Sequence, residues 1–243
     1  MKVVILAGGL GTRLSEYTKT IPKPMVKVAG HPIILHIMKH YIKYGFNKFY
    51  IAAGYKGYVI KKYFKNFKKE GKFFKHKVFN KSCEISIINT GLNTLTGGRL
   101  KRLENFIDEN ENFFFTYGDG VSSVNLKSLL KYHKKKKKII TVTAVRPPAR
   151  FGELRIVKDR VVSFKEKPQT NSGWINGGFF VARKKFFKFI RNDKDILEKK
   201  PLEKALKIGQ LNAYKHRGFW KCMDTIRDRK FLEKFKNKKL PWV

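Results

Sequence analysis

The sequence predicts an α/β fold, a mostly parallel central sheet flanked by helices. Two observations carry this reading. Short β-rich apolar runs alternate with segments of helical periodicity through the first 145 residues, and the first run breaks directly into glycines, as strands do at the edge of an open α/β sheet. At 243 residues and 42% hydrophobic content, the chain can bury a substantial core without staples. No segment of linker composition and no internal repeat divides it, so one domain is expected over 1–243.

Val3 to Ala7 is the first expected strand. Pro32 then opens a helix whose apolar residues Ile34, Ile37, Met38, Tyr41 and Ile42 share one face, with Gly45 as its cap. A strand is expected over Lys48 to Ala53, an amphipathic helix through Ile60, Tyr63, Phe64 and Phe67, and a strand over Glu84 to Asn89. A helix carrying Leu100, Leu103 and Ile107 leads to the strand Phe113 to Tyr117, which ends in Gly118-Asp119-Gly120. The unit repeats once more, with a helix through Leu126, Leu129 and Leu130 and a strand from Ile139 to Val145.

Beyond Arg146-Pro147-Pro148 the rhythm changes, and a small β-rich C-terminal elaboration is expected over 146–243. Leu154 to Val157 and Val161 to Phe164, separated by Lys158-Asp159-Arg160, form a hairpin pattern. Gly177 to Val181 has the composition of a buried strand. Helical stretches follow around Phe187 and from Leu202 to Leu206, then a strand over Leu211 to Lys215 and a closing helix from Asp224 to Phe235.

Composition narrows the function. Cys83 and Cys222 are too few for a disulfide framework or a four-cysteine zinc site, which points to a reducing, cytoplasmic compartment. The run Met1 to Ala7 is too short for a signal segment, and no apolar stretch has the length to span a membrane. The net charge of +37 would ordinarily suggest nucleic acid. Here the lysines are scattered among many Phe, Ile and Asn residues, as compositional bias would scatter them on any fold. The dense run Lys134 to Lys138 follows a helical pattern without a zinc-finger, RNP or basic-zipper signature, so neither nucleic acid nor membrane is an expected partner. Such a field still favours capture of small anions, within the roughly 10 Å that salt leaves unscreened.

The stretch "ILAGGLGTRLSEYTKTIPKPMV", residues 5 to 26, holds the strongest chemical signal. Gly8, Gly9 and Gly11 follow a strand, where backbone N–H groups can approach phosphate oxygens closely. It fits neither the Walker loop nor the dinucleotide fingerprint, whose third glycine is replaced here by Leu14. A structural turn would explain the glycines alone. Arg13 adds a guanidinium able to hold phosphate bidentately, and Lys23 adds an ammonium whose backbone is restricted by Pro22 and Pro24. Asp119 sits between two glycines at a strand end, and Asp224 precedes a helix, where it would also serve as an N-cap. Two carboxylates beside a phosphate cradle are what Mg²⁺ held between protein and substrate phosphates requires.

These motifs resemble those of the sugar-phosphate nucleotidyltransferase family, carried by "LAGGLGTRL" at Leu6 to Leu14 and "PKPMV" at Pro22 to Val26. The later segments "GHPIILHIMKHY", "GYKGYVIKKYF", "TGGRLKR", "FTYGDGV", "FGEL", "FKEKP", "INGGFFV" and "GFWKCMDTIRD" resemble the cytidylyl branch of that family across nearly the whole chain. The resemblance implies the Rossmann-like nucleotidyltransferase fold and Mg²⁺-dependent transfer of a cytidylyl group from CTP to α-D-glucose 1-phosphate. The products would be CDP-glucose, which feeds surface-polysaccharide sugars, and pyrophosphate. Residues 1–145 would form the nucleotide half and 146–243 the sugar-phosphate half.

By the same resemblance, Leu6, Ala7, Gly8, Gly9, Leu10, Gly11, Thr12 and Arg13 would bind the nucleotide, with Lys23 on its phosphates and Thr94 and Arg99 near the base. Gly118 would also touch the nucleotide, while Asp119 and Asp224 would ligate the metal. Glu166, Lys167, Asn176 and Gly177 would hold the sugar phosphate, and Arg13, Lys23 and Lys167 would be the catalytic cations. A homo-oligomer is the implied assembly. Between Phe67 and Thr90 the chain is shorter than the family pattern, and "KKEGKFFKHKVFNKSCEIS" matches nothing specific in it.

Overall fold

The computed structural model describes residues 1–65, 71–147, 153–165 and 173–242. The first half runs β1 (Lys2–Ala7), α1 (Ser15–Thr18), β2 (Lys27–Val28), β3 (His31–Pro32), α2 (Ile33–Lys43), β4 (Lys48–Ala53), α3 (Gly57–Tyr63), β5 (Phe74–Val78), β6 (Lys81–Asn89), α4 (Thr96–Lys101) and β7 (Asn112–Tyr117). The second half runs β8 (Gly120–Ser122), α5 (Leu126–Lys136), β9 (Ile140–Val145), β10 (Glu153–Val157), β11 (Arg160–Lys165), β12 (Ile175–Arg183), α6 (Lys200–Lys207), β13 (Leu211–His216), β14 (Trp220–Cys222) and α7 (Ile226–Glu233).

The central sheet has the strand order β13-β9-β12-β7-β1-β4-β6-β5. β1 pairs in parallel with β4 and β7, β4 with β6, and β9 with β13. β12 runs antiparallel to both β7 and β9, and β5 runs antiparallel to β6 at the edge. The parallel strands therefore end at one edge of the sheet, and antiparallel β12 begins there.

Both faces of the sheet are covered, and the alternation along each strand decides which side chain goes where. Val3 and Ile5 of β1 pack with Ile34, Met38 and Tyr41 of α2 and with Leu126 and Leu129 of α5 on one face. Val4 and Leu6 pack on the other with Leu100, Leu103, Phe186, Phe187 and Ala205. The run Phe113-Phe114-Phe115 serves both, since Phe114 joins the first cluster and its neighbours join the second. Phe115 stacks on Phe180 with ring centroids 4.3 Å apart, which ties β7 to β12. Each such ring contributes about 1.5–3 kcal/mol by leaving water.

Several elements differ from expectation. Leu100, Leu103 and Ile107 are all buried, yet the α-helix stops at Lys101 and a 3-10 turn, Glu104–Phe106, carries the chain onward. The stretch around Phe187 is also a 3-10 turn, Lys184–Phe189. The segment that matched nothing specific supplies β5 and the start of β6. The expected C-terminal elaboration reduces to the β10–β11 hairpin, because β12 and β13 enter the central sheet. Asp224 does not cap the last helix. Thr225 does, in a capping box with Asp228 that leaves the Asp224 carboxylate outside the cap. Phe67 lies outside the described residues. Among the described residues no helix is long and apolar enough to cross a membrane.

Candidate active site

A cleft of about 600 Å³ opens at the edge where the parallel strands end. Its lining includes Gly8, Gly9, Gly11, Thr12 and Arg13 after β1, Tyr117 to Gly120 after β7, and Ile175 to Gly178 at the start of β12. Leu6, Ala7, Lys23, Thr94, Arg99 and Asp224 line it too, whereas Leu10 is 53% exposed and stays outside the lining.

The three glycines of the first turn have different reasons to be glycine. Gly11 has φ +68°, and a Cβ there would lie 2.8 Å from Thr18 Cγ2. A Cβ on Gly8 would meet the Arg99 guanidinium at 2.1 Å. Gly9 has no atom within 4 Å of where its Cβ would be, and its φ is not in the left-handed region. Nothing in the protein requires glycine at Gly9, and the open space beside it is the cleft.

The charged residues meet on the floor. β14 pairs with β8, and the Met223 N–H donates to the Asp119 carbonyl at 2.8 Å, which brings Asp224 beside Asp119. Lys23, at the start of the 3-10 turn Lys23–Met25, donates to Asp119 Oδ2 and to Asp224 Oδ1, each at 2.6 Å. Arg13 Nη1 is 3.0 Å from the other oxygen of Asp224, while the Arg13 side chain stays 69% exposed. Burial alone would lower the Lys23 pKa, but the Asp119 charge and the two hydrogen bonds outweigh it and raise the value above that of an ordinary lysine.

Cys222 completes a cluster in which its Sγ and one oxygen each of Asp119 and Asp224 lie within 4.8 Å of one another. Burial, reinforced by the two carboxylate charges, pushes the Cys222 thiol up, and sulfur is a soft donor that a hard cation passes over in favour of carboxylate oxygen. The usable donors are oxygens facing a cation. That donor set fits a hard divalent ion such as Mg²⁺.

Beside the first turn, Arg99 is only 4% exposed and donates from Nη1 to Thr90 Oγ1 at 2.8 Å and to the Gly91 carbonyl at 2.7 Å. Its Nη2 reaches the Leu92 carbonyl at 3.1 Å. The guanidinium thus shapes the loop from Thr90 to Thr94. Gly97 and Gly98 pack against the segment 193–197, for a Cβ on Gly98 would lie 2.4 Å from Asp193 Cα and one on Gly97 2.7 Å from the Asp195 carbonyl. Arg102 reinforces this contact with two hydrogen bonds to Asp193, at 3.0 and 2.5 Å.

At the start of β12, Gly177 and Gly178 form an irregularity where β12 loses register with β9. Gly178 has φ +79°, and a Cβ there would strike the Tyr117 ring at 2.6 Å. The Trp220 indole N–H donates to the Gly177 carbonyl at 2.7 Å, so β14 fixes this bulge from the side. Asn176 reaches the cleft beside it. Glu166 and Lys167 lie outside the described residues.

The structure brings together Lys23, Asp119 and Asp224, and it adds Tyr117, Cys222 and Trp220, which the sequence reading left out. Tyr117 stood inside the marked motif "FTYGDGV". Trp220 and Cys222 stood inside another and became legible only through the β8–β14 pairing.

The family model described as "Nucleotidyl transferase" matches residues 2–228. The chain is 45% identical to the glucose-1-phosphate cytidylyltransferase of Salmonella typhi, covering 100% of this chain and 98% of that protein. It is 28% identical to a mannose-1-phosphate guanyltransferase of Hypocrea jecorina, over 96% of this chain and 62% of that protein. Among solved structures, HddC from Yersinia pseudotuberculosis superposes with a TM-score of 0.69 at 29% identity, covering 97% of this chain and 99% of the other. With the parallel sheet, the glycine turn at its edge and the carboxylate pair on the cleft floor, this places the chain in the nucleotidyl transferase family.

Proposed function

We propose that the chain transfers a cytidylyl group from CTP to α-D-glucose 1-phosphate, giving CDP-glucose and pyrophosphate, with Mg²⁺ as the metal. The observation that carries this reading is the meeting of Asp119, Asp224 and Lys23 beside the glycine turn. The cytidylyl assignment is supported by full-length likeness at 45% identity to a glucose-1-phosphate cytidylyltransferase, against 28% to a guanylyl enzyme.

A phosphate oxygen of the sugar attacks the α-phosphorus in line with the departing pyrophosphate. The attacking oxygen is already ionised at neutral pH, so the protein's task is positioning and charge neutralisation rather than proton removal. Amides of Gly8, Gly9 and Gly11 hold the triphosphate, with Arg13 and Lys23 offsetting its charge. Thr94 faces the base in the loop that Arg99 braces. Asp119 and Asp224 would hold the metal, which when bound would offset charge on the reacting phosphates. Asn176 and Gly177, with Glu166 and Lys167, hold the sugar phosphate, and Lys167 orients the attacking group. One domain carries both halves, 1–145 and 146–243, acting in the cytoplasm as a homo-oligomer.

The test is pyrophosphate release by the purified protein with Mg²⁺ and glucose 1-phosphate, offering CTP, UTP, dTTP, ATP and GTP one at a time. Preference for CTP is expected. Release with another nucleotide would overturn the base assignment while keeping the chemistry, and silence with all of them would overturn the sugar assignment.

A further inference from the structure

Glu198 belongs to no motif and does not line the cleft, yet two cleft residues donate to its carboxylate. The Thr96 hydroxyl reaches one oxygen at 2.8 Å, and the Tyr117 hydroxyl reaches the other. Thr96 in turn accepts from the Leu197 N–H at 2.9 Å. From Tyr117 the chain of contacts continues to Asn176, whose Nδ2 donates to the Tyr117 oxygen at 3.2 Å, and whose Oδ1 accepts from the Gly178 N–H at 2.8 Å.

The bond directions in this relay follow from its two ends, the Glu198 carboxylate and the Gly178 N–H. A carboxylate only accepts, so Tyr117 must donate to it and is left as an acceptor toward Asn176. Asn176 then has one defined face, with one N–H and one carbonyl lone pair remaining for a ligand. The Gly178 N–H, which can only donate, holds Oδ1 at one end of the amide, and Tyr117, kept as an acceptor by Glu198, takes the N–H at the other.

We propose that Glu198 is a positioning residue for the sugar phosphate, acting through Tyr117 to fix the amide of Asn176. This rests on the reading above that the sugar phosphate lies at Asn176. Glu198 itself is exposed, and the grip of its segment on α4 is made by the backbone of Asp193 and Asp195, so the fold does not depend on its side chain.

The experiment is steady-state kinetics with CTP and glucose 1-phosphate varied separately, on wild type, Glu198→Ala, Glu198→Gln, Tyr117→Phe and the double variant Glu198→Ala/Tyr117→Phe. Glu198→Ala is expected to raise KM for glucose 1-phosphate by about fivefold to tenfold and to leave KM for CTP within about twofold. Glu198→Gln keeps an accepting oxygen and is expected to recover most of the loss. Tyr117→Phe should reproduce the defect, and the double variant should be no worse than either single one. Equal rises in both KM values, unchanged kinetics in Glu198→Ala, or additive losses in the double variant would overturn the relay. Should Glu198→Ala fail to fold, Tyr117→Phe and Glu198→Gln decide it on the same criteria. A wild type that turns over no glucose 1-phosphate would instead overturn the substrate reading, and the relay's role with it.

Discussion

The two ends of the cleft hold their residues by different physics. At the end proposed for the phosphates, two carboxylates, an ammonium and a guanidinium meet at 2.6 to 3.0 Å, and each charge depends on the next. At the end proposed for the sugar, a relay through Tyr117 and Asn176 ends on a single carboxylate, and what it transmits is bond direction rather than charge. Removing a member of the first leaves a partly buried charge without its partner, which is costly and affects everything bound there. Removing a member of the second lets a neutral group turn, which weakens one substrate and spares the other.

The sharpest way to break this contrast is Asp119→Ala. Turnover is expected to fall by about 10³-fold or more with the thermal unfolding curve retained, and near-normal pyrophosphate release would remove Asp119 from the metal assignment. Lys23→Met leaves Asp119 without its cation and Asp224 with Arg13 alone, and kcat/KM for CTP should drop by about 10²-fold. A drop confined to the sugar phosphate would erase the distinction between the ends.

Two alanine substitutions sharpen it. Gly98→Ala drives a Cβ to 2.4 Å from Asp193 Cα, and denaturant unfolding should register a loss of about 1–3 kcal/mol. Gly9→Ala meets no protein atom, so stability should stay within about 0.5 kcal/mol, while CTP binding measured by calorimetry weakens. Unchanged affinity there would return the first turn to a purely structural role.

pH matters least for the comparison, because it acts on both ends alike. Burial lowers the pKa values of His36, His40 and His133 from 6.5 to about 4. Their folded values lie below the unfolded ones, so the stability they contribute is present above 6.5 and is lost as pH falls through about 4. Urea midpoints followed across that window should decline equally in wild type and Glu198→Ala.

Much of the fold was legible because its signals are local. Apolar periodicity marked α2, and β-rich runs marked β1, β4, β7 and β9, within a residue or two of their observed bounds. The switch from helix to 3-10 turn after Lys101 was not legible, since both bury the same leucines. At the site, Gly8, Arg13, Lys23 and Asp119 sit in compact motifs whose chemistry can be read from residue type. Only Arg99 of "TGGR" was marked as a site residue, whereas the reason for Gly97 and Gly98 is a segment from far along the chain that they meet. Glu198 left no trace in sequence, because its role is created by where the strand order brings Tyr117 and Asn176.

That strand order also dictates when the molecule can finish assembling. β9 emerges from the ribosome well before β12, yet it has no bond to β7 and must wait for β12 to be inserted between them. Until then the nascent chain carries an open β7 edge and a stranded β9, the kind of exposed edge that invites wrong pairing. Closure is a late, long-range event, slow by the measure of sequence separation. The strand that joins β9 to β7 is also the one that delivers Asn176 and Gly177, so one wall of the cleft forms in the same step that unites the sheet.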